Sequence, residues 1–286
     1  KPILFFANNK KILIVTDNIA KYYALDINTG KLLWSKNNTA PFNSQIKIYQ
    51  DKFFVIDFEN ILRSYSIKNG EEIWNTKTEK SLVRSKKKLS MVIIKEKIYF
   101  NNSLGHISSV DINTGELIWQ IPTQSSVIFD DSFFLKTSEL IADEETLYFS
   151  NNKNNFFSVD AQSGNVNWTQ KINSTLRPTL IDDYLFTVSI KGYLIIIEKI
   201  SGNIIRINDV FNLIKTSKRA NVNPTGFIVG KDSIYLTTSH GRILEIDTSS
   251  GKTLSIMKVN NNEISRPAIL NQDLFITTDS SIIKLN

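Results

Sequence analysis

Ala24-Leu25-Asp26-Ile27-Asn28-Thr29-Gly30-Lys31-Leu32-Leu33-Trp34 decides how the chain is read, because the rest of the sequence keeps returning to it. It comes back as Ser109-Val110-Asp111-Ile112-Asn113-Thr114-Gly115-Glu116-Leu117-Ile118-Trp119 and as Ser158-Val159-Asp160-Ala161-Gln162-Ser163-Gly164-Asn165-Val166-Asn167-Trp168. Worn copies keep the frame from Ser66 to Trp74 around Gly70, from Glu198 to Arg206 around Gly202, and from Asp247 to Ser255 around Gly251. The glycines step from 30 to 70, 115, 164, 202 and 251, intervals of 40, 45, 49, 38 and 49. Periods of this size mark a propeller or another closed repeat array.

One copy reads as a strand, a tight turn and a second strand. In Asp-x-x-Thr/Ser-Gly the Asp side chain accepts from backbone amides two or three residues on, and the Gly takes a positive φ. The second strand carries the indole, and all four tryptophans, Trp34, Trp74, Trp119 and Trp168, stand at this one position. A large flat ring at the same place in each unit suits docking of one sheet against the next. A ligand cage would need all four at one place, whereas a repeat distributes them. The indoles, with Gly30, Gly70, Gly115, Gly164, Gly202 and Gly251, are therefore expected to be structural docking residues, the indoles largely buried.

Each unit divides into four short strands, as in Gln45–Tyr49, Phe53–Ile56, Leu62–Tyr65 and Glu72–Trp74 of the second. Short strands at a fixed period point to an all-β propeller of four-stranded blades, with no helix of ordinary length. Third strands number seven, ending near Asp26, Ser66, Asp111, Asp160, Glu198, Asp247 and Asn286. The last unit stops before its outer strand. Propeller rings close by letting one terminus complete the other's blade, so the missing strand is expected from residues before Lys1. About seven blades are encoded, with an eighth if such residues exist, in a single domain over 1–286.

Composition bounds the chemistry. The 286 residues are 41% hydrophobic and 10% aromatic, enough for a large core. There is no Cys, so disulfides, thiolate metal sites and a cysteine nucleophile are excluded. No apolar run approaches the length of a membrane-spanning helix. The chain opens at Lys1-Pro2 without Met, so any signal peptide or lipid anchor lies upstream. A net charge of +6 and pI near 9.2 permit an acidic partner without requiring nucleic acid, and the wealth of Lys, Asn and Ile resembles the codon bias of an AT-rich genome.

The connections from an outer strand to the next inner strand emerge on one face of a propeller, and here they are the long ones: Ile121–Ser138, Asn208–Pro224, and shorter versions at Lys36–Ser44, Thr78–Ser90 and Asn173–Pro178. They gather Arg84, Lys86, Lys87, Lys88, Arg177, Lys215, Lys218, Arg219 and Arg266. The bland reading is a solvated rim; the sharper one is a cationic docking face on loops held by a rigid scaffold. His106 and His240 sit at equivalent turns of different blades and read as surface residues, so no metal site is expected. Asp143-Glu144-Glu145 and Asp182-Asp183 read as solvated turn acids. Gly-x-Ser-x-Gly, a phosphate-binding glycine loop and His-Glu-x-x-His are all absent.

The repeat resembles the Ala-x-Asp-x-x-Thr-Gly-x-x-x-Trp signature of pyrroloquinoline-quinone propellers, matched in full by Ala24, Asp26, Thr29, Gly30 and Trp34. Quinoprotein dehydrogenases that share it are about twice this length and carry an adjacent cysteine pair and a calcium site, whereas this chain has no Cys and shows no such insertion. The shorter, cofactor-free BamB family, propeller lipoproteins of outer-membrane β-barrel assembly in Gram-negative bacteria, is the better match. The closing segment from Ser265-Arg266-Pro267-Ala268 to Ile282-Ile283-Lys284-Leu285-Asn286 is similar to the way that family ends. Its members bind periplasmic domains of the barrel-inserting protein through a Leu-x-Leu-Arg stretch and an Asp-x-Asp pair. Thr175-Leu176-Arg177 and Asn221-Val222-Asn223 are the nearest counterparts, without the first Leu and with Asn for both Asp.

The resemblance implies a non-enzymatic, cofactor-free, monomeric scaffold, periplasmic and attached to the outer membrane only through an upstream lipid anchor. It points to Leu176, Arg177, Asn221 and Asn223 as protein-binding residues, on loop tips whose substitution is expected to remove no core contact; the basic connections add Lys215, Lys218 and Arg219, with charge reversal at Lys218 and Arg219 expected mainly to slow association. A quinone-dependent dehydrogenase fragment and a generic periplasmic interaction propeller stand as alternatives.

Overall fold

The computed structural model describes residues 3–79, 87–123, 136–278 and 281–285. It is an all-β, seven-bladed propeller whose blades are consecutive antiparallel sheets. Blade 1 comprises β1 (Leu4–Asn8), β2 (Ile12–Asp17), β3 (Lys21–Asp26) and β4 (Leu32–Asn37). Blade 2 is β5 (Lys47–Tyr49), β6 (Lys52–Ile56), β7 (Ile61–Ser66) and β8 (Glu72–Lys77); blade 3 is β9 (Met91–Ile94), β10 (Lys97–Asn101), β11 (Ile107–Asp111) and β12 (Leu117–Ile121). Blade 4 has β13 (Ile141–Ala142), β14 (Thr146–Asn151), β15 (Asn155–Asp160) and β16 (Val166–Gln170); blade 5 has β17 (Thr179–Ile181), β18 (Tyr184–Val188), β19 (Tyr193–Glu198) and β20 (Ile204–Asp209). Blade 6 holds β21 (Pro224–Val229), β22 (Ser233–Thr238), β23 (Arg242–Asp247) and β24 (Thr253–Lys258). Blade 7 holds only β25 (Ala268–Leu270), β26 (Asp273–Thr277) and β27 (Ile282–Leu285). A one-turn helix, α1 (Thr216–Arg219), lies between β20 and β21. No helix among the described residues is long and apolar enough to cross a membrane.

The chain divides into two compact units. The first holds residues 1–136, 142–147 and 160–165; the second holds 137–141, 148–159 and 166–286. Within the first, Phe5, Ile14 and Tyr22 pack with Phe42, Phe53, Val55 and Tyr65, and Phe54, Ile56 and Leu62 pack with Met91, Ile98, Phe100 and Val110. Within the second, the largest cluster joins Phe186, Leu194 and Ile196 to Phe211, Ile214, Phe227, Leu236 and Leu244. Middle strands are buried on both faces, so they read as unbroken apolar runs such as Phe53–Ile56.

Three devices repeat. First, the register between third and fourth strands shifts at 24/25, 64/65, 109/110, 158/159, 196/197 and 245/246, a bulge that twists the outer strand in every four-stranded blade. Second, the turn glycine receives the preceding blade. The Trp34 ring stands 2.7 Å from where a Gly70 Cβ would be, Trp119 stands 2.9 Å from that point at Gly164 and Trp168 2.6 Å at Gly202; Trp74 covers Gly115 in the same way. Each indole N–H donates to the carbonyl three residues before its glycine: Trp34 to Ile67 at 2.9 Å, Trp74 to Ile112 at 3.3 Å, Trp119 to Ala161 at 3.2 Å and Trp168 to Lys199 at 3.0 Å. The rings are half-buried, not largely buried, because the outer strand leaves their far edge in solvent. Two glycines receive no indole. Gly251 meets the Asn208 side chain, with Arg206 donating to Ser249, and Gly30 meets nothing within 4 Å.

The third device is absent from the reading above. At the turn between second and third strands a polar side chain caps amides two and four residues on: Asp17 takes Ile19 and Lys21, Asp57 takes Glu59 and Ile61, Asn102 takes Leu104 and His106, and Asn151 takes Lys153 and Asn155. Ser189 and Thr238 accept from Tyr193 and Arg242 at the equivalent places.

Candidate docking face

Antiparallel order puts two features at the same end of each blade: the capped turn between second and third strands, and the connection leaving the fourth. In the first unit this end is held by an ion network that the sequence reading missed. Arg63 Nε donates to Asp57 Oδ2 at 2.8 Å, its Nη1 to Glu72 Oε2 at 2.7 Å and its Nη2 to Thr39 Oγ1 at 3.2 Å. Arg63 and Asp57 side chains are 9% and 0% exposed, so the pair ties the 38–46 connection to β7 without presenting charge. Lys88 lies 5.2 Å over the Phe5 ring. Arg84, Lys86 and most of the 121–138 connection lie outside the described residues.

In the second unit the 210–223 connection is anchored from below. Val210, Phe211, Ile214 and Val222 are buried in the core, and the Phe211 ring occupies the space a Cβ at Gly192 would need. Arg219 closes the loop: its Nη1 donates to Asp209 Oδ2 at 2.8 Å and its Nε to the Ile214 carbonyl at 2.9 Å. What remains outward is Lys215, just before α1, and Lys218 on it, both exposed and without an ion pair among the described residues, together with exposed Asn221 and Asn223. Asn223 is pinned by its backbone, donating to Ser239 Oγ at 3.0 Å and accepting from Ser239 N at 2.8 Å.

The neighbouring 171–178 connection presents Arg177, 44% exposed, with Nε 4.0 Å from Glu139 Oε2. Arg266 is half-buried and donates from Nε to the Phe227 carbonyl at 2.9 Å. Burial, and then the Arg177 charge, pull its guanidinium below the ordinary arginine value, while Glu139 opposes them. Two corrections follow. Leu176 is 8% exposed within the largest core cluster, so its substitution does remove core contacts. Arg219 is a loop clamp, so reversing its charge perturbs the loop as well as the surface.

The histidines and acids sit in turns. His106 Nδ1 is 3.2 Å from Glu79 Oε2, and His240 contacts Ser239. Asp143 caps Glu145 and Thr146, and Lys199 bonds the Asp182 carbonyl and pairs with Asp183. A quinone with its calcium does not fit this donor set: the chain has no cysteine, and among the described residues no three His, Asp or Glu cluster as a metal site.

Blade order, bulged outer strands and Trp-on-Gly docking define a propeller of the pyrroloquinoline-quinone repeat class. A family model described as outer membrane protein assembly factor BamB matches residues 4–208, and the chain belongs to that family. The structure is similar to BamB from Moraxella catarrhalis, with a TM-score of 0.82 and 16% identity, covering 99% of this chain and 83% of that one. It is also similar to quinohemoprotein alcohol dehydrogenase from Comamonas testosteroni (TM-score 0.70, 11% identity, 98% and 64% covered). A third likeness is the Cps50 (Swd1) β-propeller domain of Myceliophteria thermophila (TM-score 0.66, 8% identity, 99% and 97% covered). At these identities the likenesses establish the fold alone. No curated protein sequence matches the chain.

Proposed function

We propose that this chain is a non-enzymatic scaffold of outer-membrane β-barrel protein assembly, working in the periplasm at the outer membrane and docking protein partners through the long connections of its second unit. Family membership supports the process, and the 210–223 loop supports the mode. Four buried apolar anchors and the Arg219 clamp hold its backbone while Lys215 and Lys218 are left outward, without an ion pair among the described residues. A preorganised loop loses little entropy on binding, and exposed cations on it attract an acidic surface. Arg177, Asn221 and Asn223 border the same end of the unit and complete the proposed contact set, with Leu176 as the buried support beneath Arg177.

The test is binding of the purified chain to the periplasmic domains of the barrel-inserting protein by surface plasmon resonance. Lys215→Glu with Lys218→Glu is expected to lower the association rate on the order of tenfold at low salt, with a smaller loss at high salt. Unfolding should be unchanged, because neither side chain makes a contact that the fold needs. Unaltered binding in the double variant, while changes at Asn28 and Asn113 at the opposite end abolish it, would overturn the reading.

A further inference from the structure

At the end of the strands away from the docking connections, the first unit holds a cavity of about 450 Å³. The 94–97 turn of blade 3 and the 143–146 and 160–164 turns of blade 4 meet there. Backbone bonds fix these turns, Ile112 N donating to the Glu96 carbonyl at 2.9 Å and Ala161 N to the Glu145 carbonyl at 2.8 Å, so the walls are preformed. One blade earlier the counterpart of this space is bridged: Lys52, the first residue of β6, donates from Nζ to Asn113 Oδ1 at 3.2 Å. Lys97 opens β10 in the same way, but two residues past Asp160 the chain has Gln162 in place of the Asn, and among the described residues no bond joins it to Lys97.

The lining runs against the charge of the chain. The protein carries +6, yet Glu96, Asp111, Glu144, Glu145 and Asp160 face this cavity against two ammoniums, Lys95 and Lys97. Asp111 and Asp160 cap their turns with Oδ1, and among the described residues neither Oδ2 has a hydrogen bond or an ion pair. Bonds from Thr114 and Ser163, the largest influence at each, hold both carboxyls below the ordinary range, so they stay ionised with no cation present. A second feature is independent of the acids. Tyr99, 2% exposed, forms part of the wall, and Ser109 Oγ beside its hydroxyl is fully buried without a hydrogen-bond partner. Burial, the largest influence on the phenol, raises its pKa, so the group is neutral and has a lone pair to offer an N–H donor. A buried hydroxyl without a partner is costly, and a ligand N–H would relieve that cost.

We infer that this cavity binds a linear organic di- or triamine, its ammonium groups on the free oxygens of Asp111 and Asp160 and on Glu144 and Glu145, with one N–H donated to the Tyr99 hydroxyl. Among the described residues no three carboxylates converge as a metal site requires, so the negative charge is spread around a space within the roughly 300–1,000 Å³ typical of small-molecule sites. Charges set apart along one flexible chain match carboxylates set apart on separate turns. The site also lies apart from the docking connections, so it adds a ligand to the proposed scaffold and does not depend on that reading.

The test is isothermal titration calorimetry of the purified chain with spermidine, with Mg²⁺ at matched ionic strength as the competing cation and a Lys-rich peptide as the competing class of ligand. Saturable binding of one equivalent is expected, weakening as salt is added. Glu144→Gln with Glu145→Gln is expected to weaken it about tenfold. Tyr99→Phe is expected to weaken it by a similar factor with the thermal midpoint unchanged, since the hydroxyl has no partner in the fold to lose. Absence of saturable binding overturns the inference, as does binding that both variants leave intact. Displacement by Mg²⁺ at equal concentration would show a diffuse acidic surface, and binding of the peptide without spermidine would assign the cavity to a protein; either result overturns it too.

Discussion

Gly30 and Gly70 form an internal control for the docking energy, since they share a conformation and differ in neighbour. Both hold φ at +69°. Alanine at either position pays the left-handed strain, about 1–2 kcal/mol. At Gly70 the new methyl also lands 2.7 Å from Trp34 Cζ3, inside contact distance of a ring stacked against Phe53 at 6.1 Å and held by its bond to Ile67. Overpacking of that kind adds about 1–3 kcal/mol. In the 1–286 chain, Gly30→Ala should therefore cost about 1–2 kcal/mol and Gly70→Ala about 2–5 kcal/mol. Trp34→Ala alone should cost about 2–3 kcal/mol, below the value for a fully buried indole, because the ring is half-buried. In the Trp34→Ala background the clash is gone, so Gly70→Ala should fall back to the Gly30 value, a coupling of about 1–3 kcal/mol. Urea unfolding followed by far-ultraviolet circular dichroism measures all four terms without depending on tryptophan fluorescence. Equal costs at Gly30 and Gly70, or a cycle that closes with no coupling, would refute the docking account.

Removing Arg63 strands the fully buried Asp57 carboxylate, so Arg63→Met should destabilise by about 3–5 kcal/mol, and adding Asp57→Asn should recover part of it; no recovery in urea melts would show that the pair is not the cause. Asp26, Asp111, Asp160 and Asp247 are held below the ordinary carboxyl value of 3.8, chiefly by bonds from Thr29, Thr114, Ser163 and Ser250. A folded pKa depressed in this way contributes stability above the unfolded value and loses it as pH falls through the folded one. The urea midpoint should accordingly hold from neutrality down to about pH 4 and drop below it. A midpoint flat through that acid window contradicts the assignment. Leu176→Ala should destabilise by about 2–3 kcal/mol, whereas Arg177→Ala, at an exposed site, should leave the thermal midpoint in place and act only on partner binding.

Position within the repeat was legible in the residues; the presence of a neighbour was not. Asp26-x-x-Thr29-Gly30 and Asp111-x-x-Thr114-Gly115 have the same local chemistry, and both fold into the same turn. Yet one glycine is covered and the other open, because coverage depends on a different blade. The same limit explains Leu176. Its neighbours in sequence are polar, so it reads as a loop tip, but the short 171–178 connection drops its side chain into a core built by Phe186, Leu194 and Phe227. Arg219 reads as surface charge for a similar reason, since its partners, Asp209 at the end of β20 and the Ile214 carbonyl, meet it only when the chain turns back on itself. The capping positions 17, 57, 102, 151, 189 and 238 were findable. They step by the same intervals as the turn glycines, but their residue type drifts from Asp to Asn, Ser and Thr, any of which can cap a turn.

That shared stepping also tells where this scaffold tolerates change. Each cap stands thirteen residues before its turn glycine in all six four-stranded blades, so the hairpins have a fixed length and all variation falls between a glycine and the next cap. Within a hairpin an added residue would slip the register and turn a buried face outward. The outer strands vary little, at five or six residues, which leaves the connections to absorb the difference. A connection leaves the ladder, so lengthening it costs only slowly rising loop entropy. Length there is what the scaffold permits and says nothing by itself about function. The scaffold does not require the second half of the arrangement at 210–223. An insertion that merely drifted would lie on the surface, but this one sends Val210, Phe211, Ile214 and Val222 into the core and spends Arg219 on its own closure, fixing Lys215 and Lys218 outward. Order of that kind is costly to maintain in a loop with nothing to meet, and it makes this connection the place to look for the partner.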